Sequence, residues 1–126
     1  FAGGEGVSPV TTVTEAVKEE VTAKVNEEAR AQADKILKEA EEQAKKLREE
    51  AASSAKAIRT EADLQGKKLI KDAESRDAIA VMAAKKGAEA LKKEADKRAT
   101  QLETEANARA DKMLADAKAR ADELLK

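Results

Sequence analysis

The chain has 126 residues, of which 25 are basic and 26 acidic, and charged side chains make up 40% of it. It has one aromatic residue, Phe1, and large aliphatics confined almost entirely to one stripe, which leaves nothing to fill a globular core. The near-cancelling charge argues against an electrostatic nucleic-acid binder, which would show a net basic face. Histidine, cysteine, tyrosine and tryptophan are absent, which excludes disulfides, thiol nucleophiles, zinc sites and the usual general bases near neutral pH.

Residues 1–8 are small, Gly-rich and polar, and read as a flexible lead. Phe1-Ala2-Gly3-Gly4 is compatible with a mature terminus after signal removal or with a segment boundary. No signal peptide is visible, and no apolar run approaches the roughly 18 to 20 residues that span a bilayer. Ser8-Pro9 reads as a helix start, with Ser8 as N-cap and Pro9 in the first helical position. Thr12 with Glu15 forms a second candidate, a capping box. Val10, Val13, Val17, Val21, Val25 and Ala29 then recur mostly in steps of four. Valine is a weaker helix former than the alanine and leucine that follow, so this lead-in is the softest helical part.

From Ala33 one pattern repeats every eleven residues, nine times, without insertion or deletion. The first positions are Ala33, Ala44, Ala55, Gly66, Asp77, Ala88, Ala99, Ala110 and Ala121. Three residues on stand Ile36, Leu47, Ile58, Leu69, Ala80, Leu91, Leu102, Met113 and Leu124. Seven residues on stand Ala40, Ala51, Ala62, Ala73, Ala84, Ala95, Ala106 and Ala117. Eleven residues in three turns is just above the α-helical period, so these positions form a nearly straight stripe with a slight right-handed drift. The repeat is a hendecad, and residues 9–126 read as one helical coiled-coil region. The packing core is assigned to Ile36, Ala40, Leu47, Ala51, Ile58, Ala62, Leu69, Ala73, Leu91, Ala95, Leu102, Ala106, Met113, Ala117 and Leu124. Acids at the seventh position precede Arg76, Arg98, Arg109 and Arg120 by four residues, the favourable helical order, and form a solvated face.

The repeat at 77–87 departs from the rule: its first position is Asp77 and its large apolar position is only Ala80. Two architectures accommodate this. One is a continuous helix of roughly 100 residues, about 150 Å long at 1.5 Å per residue. The other, preferred here, is an antiparallel hairpin turning at Ser75-Arg76-Asp77, with Asp77 as N-cap of the second helix. Folding there pairs residues whose numbers sum to about 153. Ile58 then meets Ala95, Leu47 meets Ala106 and Ile36 meets Ala117, while Leu91 meets Ala62, Leu102 meets Ala51 and Met113 meets Ala40. Gly66 meets Gly87. Large opposite small in each layer suits close packing. No glycine or proline marks the turn, which counts against it. The stripe is narrow and half alanine, so further association into four or more helices is expected.

Chemistry is sparse. Carboxylates and lysines lie on exposed helical faces, and no Gly-rich phosphate loop occurs. No catalytic, cofactor or metal residue is assigned. The three stripe positions span only about 65° of helix circumference, which suits a partner helix better than a bilayer. The local exception is the cluster Ile79, Val81 and Met82, a candidate contact patch for membrane or protein. Packing at the helix turn is its favoured, purely structural explanation.

Segments such as Ala88-Glu89-Ala90-Leu91-Lys92-Lys93-Glu94-Ala95-Asp96-Lys97 and Ala106-Asn107-Ala108-Arg109-Ala110-Asp111-Lys112-Met113-Leu114 resemble the Ala-rich helical tails of AsmA-type envelope proteins of Gram-negative bacteria. The resemblance covers roughly residues 25–126. It implies a helical tail or spacer in the cell envelope or periplasm, a cytoplasmic location being the alternative. The β-rich body of such proteins is absent here, and its lipid-related role is not carried over. The repeat also resembles peripheral stalk subunits of rotary ATPases, without their membrane helix or globular end. Group-3 late embryogenesis abundant proteins share Ala-rich eleven-residue repeats, but usually with alanine or threonine where this chain has Ile36, Leu47, Ile58, Leu69 and Leu91. The expected role is therefore a rod, spacer or oligomerisation element acting through self-association or partner helices. A stress protector that coats lipid or protein is the alternative.

Overall fold

The computed structural model describes the chain from Pro9 onward, and its side chains from Lys24. The expected flexible lead over 1–8, the Ser8 cap and the side chains of the Thr12–Glu15 capping box lie outside the described residues. Two helices account for nearly everything else: α1 (Pro9–Glu74) and α2 (Ala78–Leu124). They pack as an antiparallel hairpin, which decides between the two architectures compatible with the repeat.

The turn takes three residues and needs no glycine, because polar groups close both helix ends. Arg76 N–H donates to the Ala73 carbonyl at 2.9 Å, and Ser75 Oγ donates to the Asp72 carbonyl at 2.9 Å. These bonds satisfy carbonyls that the end of α1 would leave without partners. Asp77 then caps α2: its Oδ1 accepts the Ala80 N–H at 2.7 Å, and its carbonyl accepts the Val81 N–H at 3.1 Å. The acid that breaks the repeat is thus the residue that starts the second helix. Lys71 in the last turn of α1 complements the negative end of the helix dipole.

The chain divides into two compact units, in each of which a stretch of α1 packs against a stretch of α2. In the unit spanning Glu41–Leu114, α1 buries Ala44, Ala51, Ala55, Ala62, Gly66 and Ala73, and α2 buries Ala88, Ala95, Ala99, Ala106 and Ala110. The other unit joins the described residues up to Ala40 to Ala115–Lys126. It buries Ala33, Ala40, Ala117 and Ala121, with Ile36 half-buried. Within each unit the buried residues of a helix advance in steps of seven or four, about two turns or one, so they lie on one line.

This burial corrects the expected core. The innermost residues belong to the first position of the repeat: Ala55, Ala99 and Ala110 are fully buried, yet the core assignment named only the fourth and eighth positions. Small side chains let two helices approach most closely, so alanines occupy the line of contact and longer side chains lie beside it. Ile36, Leu47, Ile58, Leu91, Leu102 and Met113 are accordingly half-buried. Leu69 and Leu124, expected in the core, are exposed at 43% and 38%.

The expected pairing of Gly66 with Gly87 is off by one residue. A Cβ built on Gly66 would lie 3.0 Å from the Ala88 Cβ and 3.5 Å from its Cα. On Gly87 it would meet only Leu69 Cδ1, at 3.9 Å. Ala88 holds the first position of its repeat and faces the seam, whereas Gly87 is turned about 100° away from it.

The two glycines therefore respond oppositely to a side chain. Gly87→Ala relieves a helix-interior glycine without a clash and raises unfolding stability by about 0.5–1 kcal/mol. Gly66→Leu, a good helix former forced against Ala88, lowers it by about 1–3 kcal/mol. Urea titration followed by circular dichroism checks both, and equal effects would refute the close approach at Gly66.

Candidate interaction surfaces

Consecutive residues on a helix point about 100° apart, so residues on either side of the alanine line fall on opposite faces of the hairpin. At four such pairs of neighbours in Glu41–Leu114 the two differ in kind, whereas at Leu69 and Ile70 and at Met113 and Leu114 both are apolar. One flank carries Leu47, Ile58, Leu91 and Leu102. The other carries Arg48, Arg59, Lys92 and Glu103.

The apolar flank forms an open groove between the helices. One cleft of about 200 Å³ is lined by Leu47, Ala51, Leu102 and Ala106, with Glu50, Ser54, Glu105 and Arg109 at its rim. A second, of about 470 Å³, is lined by Ile58, Ala62, Leu91 and Ala95, with Glu61, Gln65, Glu94 and Arg98 around them. Each cleft holds one large residue from each helix with alanines beside them: Ala51 and Ala106 in the first, and Ala57, Ala62 and Ala95 in the second. Apart from Ala57, these are the residues that the antiparallel register pairs in sequence. Among the described residues, Arg98 and Arg109 make no ion pair.

The polar flank is cross-linked. The Arg59 guanidinium donates from Nε to Asp96 Oδ1 and from Nη1 to Glu103 Oε1, both at 2.9 Å, and from Nη2 to Thr100 Oγ1 at 3.4 Å. Arg48 Nη2 meets Asp111 Oδ1 at 2.6 Å. Asp63 lies 3.1 Å from Lys67 Nζ and 3.4 Å from Lys92 Nζ. Hydrogen bonds to Asp96 and Glu103 raise the Arg59 pKa above its ordinary value, and those from Lys67 and Lys92 lower that of Asp63. These groups are solvent-exposed or, for Asp63 and Glu103, only half-buried, so they fix which helix faces meet more than they add stability. The sequence reading missed this network. Its signal was present in opposite charges on the two helices, Arg59 with Asp96 and Asp63 with Lys92 closest to the expected register and Arg48 with Asp111 and Arg59 with Glu103 a turn or two beyond it, and it became legible only with the turn in place.

The third surface is the contact patch near the turn. Ile79 and Met82 are 79% and 65% exposed, so packing at the turn does not account for them; Val81 alone is half-buried. Leu64 and Leu69 are also exposed on the α1 side of the turn.

Among the described residues there is no grouping of acidic, histidine or cysteine side chains able to hold a metal ion, and no helix is long and apolar enough to cross a membrane. The chain matches no family model, no curated protein and no solved structure.

The lowered Asp63 pKa gives its contribution a sign. Asp63 favours the folded state above the ordinary carboxylate pKa of about 3.9, and this contribution disappears as pH falls through its lower folded value. Asp63→Asn should reduce the melting temperature slightly at pH 7 and leave it unchanged relative to the parent at the acid end of a pH series. A deficit that persists in acid would assign the effect to packing instead.

Proposed function

We propose that this chain is a non-enzymatic structural and assembly element, a rod, spacer or oligomerisation module whose hendecad repeats form a coiled coil with other helices. The carrying observation is the unequal use of its two flanks. The alanine line is consumed by packing within the hairpin, and the polar flank is cross-linked by Arg48, Arg59 and Asp63. Leu47, Ile58, Leu91 and Leu102 are left half-buried along an open groove. Covering that groove with helices from a second copy would bury large aliphatic surface worth about 25 cal/mol per Å². The alternation of large and small residues along it offers depressions into which a helix can set its own side chains.

A non-enzymatic role is supported by the composition, which lacks the side chains that usually act as nucleophile or base near neutral pH. Placement in a bacterial cell envelope rests on the resemblance of residues 25–126 to AsmA-type helical tails, and belongs to the same proposal.

Replacing Leu47 or Leu102 with Asp should lower both the melting temperature and the mass measured by light scattering, because either change puts a charge into the groove. The parent chain should be helical and melt cooperatively in dilute buffer. A parent that is monomeric and unfolded until dried or lipid-bound would favour the stress-protector reading. Unchanged melting and mass in both variants would remove the groove from the assembly.

A further inference from the structure

We propose that the turn end of the hairpin docks on an anionic lipid surface. Among the described residues the exposed large apolar side chains are Val25, Leu64, Leu69, Ile79, Met82, Leu124 and Leu125. Four of these seven stand between residues 64 and 82, on either side of the turn. The same region is basic in a chain that is not. Residues 64–86 hold six cations (Lys67, Lys68, Lys71, Arg76, Lys85 and Lys86) against the carboxylates Asp72, Glu74 and Asp77. Lys67 is paired with Asp63, whereas the other five make no ion pair among the described residues. Asp77 is engaged in capping α2.

Helical spacing sorts these residues outward. At about 100° per residue, Ile79, Met82, Lys86, Lys93 and Lys97 share a stripe of α2 roughly 100° wide, with Ala83 and Ala90 between them. No carboxylate lies in that stripe; Glu89 and Glu94 flank it. On α1, Leu64, Lys68 and Lys71 are aligned in the same way. Each stripe puts exposed aliphatic groups beside unpaired ammonium groups, the combination that inserts shallowly among acyl chains while meeting anionic headgroups.

Lipid fits this arrangement better than a folded protein. A stable protein interface needs on the order of 800 Å² per partner gathered on one face. Here the apolar groups are divided between two helices around one end. A headgroup layer is deformable and can receive such groups individually. The groove used for assembly lies on other residues, so docking adds a place of action to the structural role and does not depend on it.

Co-sedimentation of the full chain with vesicles tests this. We expect binding to phosphatidylcholine vesicles in which about one lipid in three is phosphatidylglycerol, none to phosphatidylcholine alone, and release by salt. Two double charge reversals with the same change in net charge separate local from diffuse attraction. Lys68→Glu with Lys86→Glu should weaken binding about tenfold or more, whereas Lys46→Glu with Lys112→Glu should leave it within about twofold. Ile79→Ser with Met82→Ser should weaken it several-fold, and these exposed positions leave the helical circular dichroism intact. No binding to the anionic vesicles, equal binding to neutral ones, or equal loss from the two charge reversals would overturn the proposal. Capture by polyglutamate without binding to vesicles would overturn it in favour of an acidic protein. Light-scattering mass recorded on the same samples keeps a failure of docking distinct from a failure of assembly.

Discussion

Alanine against alanine is the contact from which the other features of the hairpin follow. Each such contact removes little apolar surface, and at roughly 0.8 kcal/mol per buried methylene no single layer holds the helices together. What alanine provides is proximity. At Gly66 the approach is so close that even a methyl group would sit 3.0 Å from Ala88. Once the backbones meet along that line, side chains longer than alanine have no room on it. Leu47 and Ile58 go to one flank, and their chain neighbours Arg48 and Arg59 go to the other. An apolar groove and a polar, cross-linked face are therefore two consequences of one constraint.

The turn shows how a helix can be ended without a breaking residue. Nothing in Ser75-Arg76-Asp77 forbids a helix outright, yet backbone and side-chain bonds at that point close both ends. The Asp77 carboxylate does at the start of α2 what an alanine does elsewhere in the repeat: it occupies the first position, but toward a backbone N–H in place of a partner helix. Next to it the repeat has lost its large apolar residue, and the displaced aliphatics Ile79 and Met82 stand on the outer side of α2. The departure from the repeat is thus both a capping signal and the source of an exposed surface.

Charge has a directing role here. The ion pairs of Arg48, Arg59 and Asp63 are too exposed to contribute much stability, but they occur on one flank and link the two helices in one register. Arg98 and Arg109 sit beside the groove without such partners among the described residues. A protein with nearly equal numbers of acids and bases can therefore present quite different faces, with cross-linked charge on one side, mixed charge beside aliphatic groups on another, and lysines grouped around the turn.

Much of this was legible in the amino-acid sequence. The eleven-residue spacing determined that the chain is helical and that its apolar residues form one narrow stripe, and the break at Asp77 marked where a turn could fall, because each of these depends on local periodicity or on a cap a few residues long. That the chain does turn there was decided by tertiary structure. Which members of that stripe make the contact was decided by tertiary structure too. Periodicity assigns a direction to a side chain but no depth, so it puts Leu69 and Leu124 in a core from which they are partly excluded and does not single out Ala55, Ala99 and Ala110, which occupy it. The one-residue difference between Gly66–Gly87 and Gly66–Ala88 has the same origin. A register between two helices is set by how closely their backbones approach, and that distance exists only after the chain has folded back on itself.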